Sequence, residues 1–116
     1  LAVSTVDRLE DAFVLPASVE EFAALGETEG LVRLVTTARG SRGMADAWAH
    51  LMVARGSAEA LVEAAPCFEW DWAATSLILA EAGGRTSAID AADPYPGCRL
   101  VATNGRVDDA LRAAYS

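Results

Sequence analysis

The chain has 116 residues, about one domain's worth and too short for two substantial cores. Apolar residues make up 53% and charged residues 22%, so the chain has the apolar content of a folding domain. Nine cationic residues against seventeen carboxylates leave a formal net charge of −8, which repels phosphodiester backbones and argues against a nucleic-acid partner.

Every fixed positive charge is an Arg; Lys is absent, which removes the phosphate loop that ends in Gly-Lys. The longest strongly apolar run, Thr75 to Ala80, falls far short of the roughly 18 to 20 residues that span a bilayer, so no membrane partner is expected. No cationic and then apolar leader opens the chain, which begins Leu1-Ala2-Val3-Ser4 and reads as the middle of a longer, cytoplasmic protein. Cys67 and Cys98 are too few and too far apart for a zinc quartet or a disulfide framework, so reduced thiols are expected.

In chain order, Ala2 to Val6 has strand composition and is interrupted by the charged stretch Asp7 to Asp11. Ser18 followed by Glu21 has the pattern of a capping box and predicts a short helix to about Leu25, stopped by Gly26. Leu31, Leu34 and Val35 place a second helix over 28–38, and Gly40 to Gly43 reads as a loop. A third helix over 45–54 is expected to turn Trp48, Leu51 and Met52 inward and to stop at Arg55-Gly56. Ala60-Leu61-Val62 predicts a strand. A helix from about Asp71 follows, with Ala74, Leu77, Ile78 and Ala82 inward and a stop at Gly83-Gly84. Strands over 85–89 and 99–103 flank the turn Asp93-Pro94-Tyr95-Pro96-Gly97, and a last helix runs over 106–115. The alternation predicts a layered α/β sandwich forming a single domain over 1–116.

Few residues offer ordinary catalytic chemistry. The single histidine, His50, lies mid-helix beside Trp48 and Leu51 and reads as a hydrogen-bonded structural residue, which leaves no His-based triad. Asp93 to Gly97 has the outline of a metal-binding Asp-Pro-x-Asp-Gly loop, but Pro96 stands where the second Asp is needed, and it reads as a turn. Asp71, at the start of a helix, is by its position a cap.

The stretch Trp70-Asp71-Trp72-Ala73-Ala74, then Leu77-Ile78, then Glu81-Ala82-Gly83-Gly84, resembles the C-terminal signature of the inositol monophosphatase superfamily of magnesium-dependent phosphate monoesterases. Upstream, Arg42-Gly43-Met44-Ala45-Asp46-Ala47-Trp48 and Leu51 to Gly56 are similar to the histidinol-phosphate phosphatase branch, with Ala45 in place of the usual glycine. Downstream, Ala102-Thr103-Asn104-Gly105 and Asp109-Ala110-Leu111 are similar to that branch's closing strand and helix. The resemblance covers nearly the whole chain, more loosely over Leu1 to Gly26. It implies the C-terminal half of a two-domain fold, because the Glu, the Asp-Pro-x-Asp-Gly loop and the other carboxylates that hold most of the magnesium belong to the N-terminal half.

By this resemblance Asp71 is one Mg²⁺ ligand, and a helix N-terminus keeps such a carboxylate ionised. Glu63 corresponds to an acidic residue that meets the leaving-group moiety, with one extra residue before Asp71; its plain reading is a solvated strand-end charge. Asp46 would pair with the ammonium or imidazole of histidinol phosphate, and Arg42 would orient Asp46 or approach the phosphate. Read without the resemblance, the two are a helix cap and an exposed charge. The expected function is a metal-dependent phosphatase, most like histidinol-phosphate phosphatase, with a small phosphorylated metabolite as substrate, the N-terminal domain as partner, and a homodimer as assembly. An inositol-1-phosphate or sugar-phosphate phosphatase is the alternative within the class, and a catalytically inactive binding or interaction domain the alternative outside it.

Overall fold

A computed structural model describes residues 1–43 and 46–116, Asp46 through its backbone alone. A turn of 3₁₀ helix at Leu9–Asp11 leads into β1 (Phe13–Pro16), followed by α1 (Val19–Ala24), α2 (Thr28–Thr37), β2 (Gly40–Ser41) and α3 (Asp46–Ala54). Then come β3 (Ala60–Val62), α4 (Glu69–Glu81), β4 (Arg85–Ala88), β5 (Leu100–Thr103) and α5 (Asp108–Tyr115). The five strands form one mixed sheet in the order β2-β1-β3-β5-β4. β2, β1 and β3 run parallel, and β5 lies antiparallel between β3 and β4.

Helices cover both faces, so the central strands β1, β3 and β5 are apolar on both sides. The strand period of two sorts their residues into two cores. Val14, Ala60, Val62 and Val101 join Phe22, Leu31, Leu34 and Leu111 of α1, α2 and α5 on one face. Leu15, Leu61 and Ala102 join Ala49, Val53, Leu79 and Ala82 on the other, beneath α3 and α4. Opposite that second layer, Arg99, just before β5, grips Glu27 at 2.8 Å, and the Tyr115 hydroxyl donates to the same carboxylate, tying α5 to the turn between α1 and α2.

The expected α/β sandwich is the observed fold, with five corrections. Residues 2–6 form no strand; the chain's first strand is Phe13–Pro16. The opening segment instead crosses the end of the second layer, where Val3 N–H donates to Ala82 O at 3.0 Å and the Asn104 amide donates to Ser4 O and Val6 O. Strand composition describes a half-buried pleated surface and does not by itself supply a neighbour to pair with. Ser18 precedes α1 but makes no side-chain cap; its carbonyl takes the Glu21 amide at 3.0 Å. Gly40–Ser41, expected in a loop, is an edge strand against Phe13 and Val14.

The last two corrections concern rotation. α3 turns Ala49, His50, Val53 and Ala54 inward and leaves Trp48 at 58% exposure, because its close packing on α4 admits small side chains and excludes an indole. α4 begins at Glu69, and its inward side chains are Thr75 and Leu79, with Ala82 just beyond its end and Ile78 half-buried against the same core as expected; Leu77 is 63% exposed and Ala74 faces solvent. α4 is apolar almost all the way round, so its sequence carries little information about which side faces the sheet.

Candidate active site

The second helical layer carries a cleft of about 210 Å³ where the C-terminal end of β3 meets the start of α4. β3 delivers Glu63, the residue after its last position, and α4 delivers Trp70 and Asp71 in its first turn; His50 and Ala47 come from α3. The short link between β3 and α4 is fixed by the proline break at Ala65-Pro66 and by Cys67, whose amide donates to Cys98 O at 2.7 Å. That link holds the two carboxylates in one opening.

Asp71 stands in the first turn of α4, where free amides and the helix dipole favour a negative charge. Its Oδ2 accepts the Phe68 N–H at 2.8 Å, so the capping role is real, and the side chain stays exposed at the cleft. The cap spends Oδ2 and fixes the carboxylate's orientation. Glu63 is 5% exposed, well below what a solvated strand-end charge would show, and its carbonyl accepts Arg99 Nε–H at 3.3 Å. His50 is 1% exposed and held between two hydroxyls, Nδ1 at 2.9 Å from Thr75 Oγ1 and Nε2 at 2.9 Å from Thr86 Oγ1. Burial lowers its pKa to about 4, so the ring is neutral at physiological pH and serves as a rigid wall. Burial, reinforced by the Glu63 charge, pushes the Cys67 thiol up to about 11.

Among the described residues lining the cleft are two carboxylates and no Arg. Such a lining attracts a cation and repels a bare phosphate. Hard oxygen donors suit Mg²⁺, which the family implies, yet no three His, Cys, Asp or Glu side chains among the described residues converge as a metal site would need. The donor set fits a share of a magnesium centre and not a complete one.

Glu63 and Asp71 are thus brought together, and Arg42 is not with them. Arg42 is exposed at the end of β2, donates to its neighbour Ser41 O at 2.9 Å, and lines grooves shared with Phe13, Leu15 and Val32. The Asp46 side chain lies outside the described residues. His50 and Cys67 form cleft walls that no sequence motif marked, whereas Trp70, a third wall, opens the signature stretch.

The remaining signature residues hold the frame. Gly83 adopts φ +99, and a Cβ on Gly84 would lie 2.6 Å from Thr103 O and 2.4 Å from Leu79 Cδ1. Asn104, 2% exposed, accepts the Arg106 amide at 2.9 Å and anchors the opening segment, while Thr103 Oγ1 donates to Asp108 at 2.7 Å.

The model of the inositol monophosphatase family matches residues 3–116. The histidinol-phosphatase of Streptomyces coelicolor is 34% identical over 112 residues, covering 96% of this chain and 41% of that protein. Among solved structures, Mycobacterium tuberculosis SuhB is 31% identical with a TM-score of 0.77, over 98% of this chain and 44% of its own. The inositol monophosphatase from Anabaena (Nostoc) sp. PCC 7120 is 25% identical with a TM-score of 0.82, over 98% and 46%. The chain spans about two fifths of the length of the curated relatives it matches. With sequence and fold in agreement along its length, the chain belongs to the inositol monophosphatase family.

Proposed function

We propose that this chain acts as the C-terminal part of a magnesium-dependent phosphomonoesterase whose substrate is histidinol phosphate or a close chemical relative. The observation that carries the reading is the juxtaposition of Asp71 and buried Glu63 in one cleft. Bound magnesium neutralises the phosphoryl oxygens and lowers the pKa of a coordinated water. Asp71 would supply one oxygen ligand, its direction set by the Phe68 amide on Oδ2. Glu63 would face the leaving group, where a carboxylate favours a cationic moiety, while neutral His50 and the Trp70 indole bound the cavity. Arg42, just after β2, and Asp46, the first residue of α3, are the candidates for the substrate's polar end.

The two curated relatives named histidinol-phosphatase support this substrate over inositol phosphates. The test is a panel assay on the longer enzyme that carries this chain, with histidinol phosphate and inositol 1-phosphate side by side. A higher kcat/KM for histidinol phosphate is expected, together with a loss of about 100-fold or more for Asp71→Asn and a weakened preference for Asp46→Ala. Equal turnover of the two substrates would retire the histidinol assignment, and full activity of Asp71→Asn would retire the ligand role. The incomplete donor set favours a second reading for the 116 residues on their own, a binding or interaction domain without turnover.

A further inference from the structure

Cys67 and Cys98 stand opposite one another in an isolated antiparallel bridge. Cys67 N–H donates to Cys98 O at 2.7 Å, and the neighbouring Gly97 N–H donates to Cys67 O at 2.7 Å. Residues so placed have Cα atoms about 4.5 to 5.5 Å apart and side chains on one face. A disulfide spans Cα separations of about 4.4 to 6.8 Å. Both cysteines belong to one small buried cluster with Ala88 and Leu100. Both thiols are reduced, and their other contacts are weak: Cys67 Sγ–H to Ala65 O at 3.5 Å, and Cys98 Sγ accepting Tyr95 N–H at 3.4 Å. Cys67 also lines the cleft, which gives a small oxidant a path to one sulfur, whereas Cys98 is 2% exposed.

From this juxtaposition we propose that Cys67 and Cys98 form an intramolecular disulfide on the wall of the cleft when the chain meets a peroxide. The Cys67 sulfur attacks one peroxide oxygen; the O–O bond breaks, leaving a sulfenic acid, and the departing oxygen takes up the thiol proton as water. The Cys98 sulfur then attacks the Cys67 sulfur, the S–S bond forms, and the S–OH oxygen leaves as a second water with the Cys98 proton. Two thiols lose two electrons and two protons, and one peroxide becomes two waters. The bond closes a loop of about 30 residues and clamps the segment entering α4 to the turn before β5. The raised pKa of the Cys67 thiol makes the first step slow at neutral pH. None of this depends on the phosphatase reading.

The test is intact-mass spectrometry with peptide mapping on the folded chain after mild hydrogen peroxide treatment. The expected result is a loss of about 2 Da shared by Cys67 and Cys98, no covalent dimer, and full reversal by dithiothreitol. The oxidised chain should melt about 10 °C above the reduced one. C67S and C98S should show no such loss, C98S gaining oxygen at Cys67 instead and C67S leaving Cys98 unmodified, and the wild-type result stands whether or not these variants fold. Addition of oxygen at Cys67 with no mass loss, a loss seen only in urea, or a melting point below that of the reduced chain would each overturn the proposal.

Discussion

At the scale of single residues, His50 is the most deeply buried titratable side chain among the described residues. Its imidazole lies between the Thr75 and Thr86 hydroxyls, and burial alone lowers its pKa from 6.5 to about 4. A histidine whose folded pKa lies below its unfolded value stabilises the fold above the unfolded pKa, because only the unfolded chain takes up the proton on the way down. The contribution should therefore be complete at pH 7 and vanish between about pH 6.5 and pH 4, a loss of about 3 kcal/mol. Urea midpoints measured across that window check it: His50→Gln should be less stable at pH 7 and lose less as the pH falls. A wild-type and variant pair with parallel slopes would place the proton elsewhere. The identity of His50 as a structural histidine was legible from its apolar helical neighbours, but its two threonine partners were not, since they come from α4 and β4.

At the scale of elements, the Gly83-Gly84 pair shows how packing alone can fix a short motif that does not touch chemistry. Gly84 lets α4 finish directly against β5, with no room for a methyl group between Leu79 and the Thr103 carbonyl. Gly84→Ala should cost about 1 to 3 kcal/mol through overpacking against backbone that cannot retreat, read as a lower Tm in thermal melts. A variant of unchanged Tm would mean that the α4 to β4 turn has slack. Glycine after the helix was readable as a stop signal, whereas the second glycine's clearance depends on a strand at 100–103 that the local sequence does not mention. Helix rotation followed the same logic. α2 has one apolar stripe and turns Leu31 and Leu34 inward as expected, while along α3 and α4 Met52, Ile78 and, just past the end, Ala82 pack on the core but Trp48, Ala74 and Leu77 do not, the apolar residues being spread too widely around the axis.

At the scale of the whole molecule, the two helical layers are unlike. The α1, α2 and α5 layer is laced by Arg99, Glu27 and Tyr115 and exposes only the aliphatic Val19, Leu25 and Val32 as large apolar groups among its described residues, whereas the α3 and α4 layer leaves Trp48, Trp70 and Leu77 at 58%, 78% and 63% exposure. Exposed apolar groups of that size favour association. Sedimentation of the 116-residue chain should show an average mass that rises with concentration, with Leu77→Glu reducing the rise; a concentration-independent monomer would contradict it. The same chain should hydrolyse neither histidinol phosphate nor inositol 1-phosphate in magnesium buffer, because its described residues supply too few oxygen donors to hold the ion. Turnover above the buffer rate would show that Asp71 and Glu63 suffice.

Family, fold class and the carboxylate at position 71 were available from the linear chain, because they rest on short-range spacing: a cap three residues into a helix, glycines at its end, apolar runs of strand length. Other features required the chain to close on itself. The burial of Glu63, the pairing of β1 with two strands far from it in sequence, and the meeting of Cys67 with Cys98 are contacts between distant segments. Local pattern specifies what an element is and roughly where it stops. Which neighbour it receives is set by the joint packing of all eleven elements against two cores, a property no window of the sequence contains.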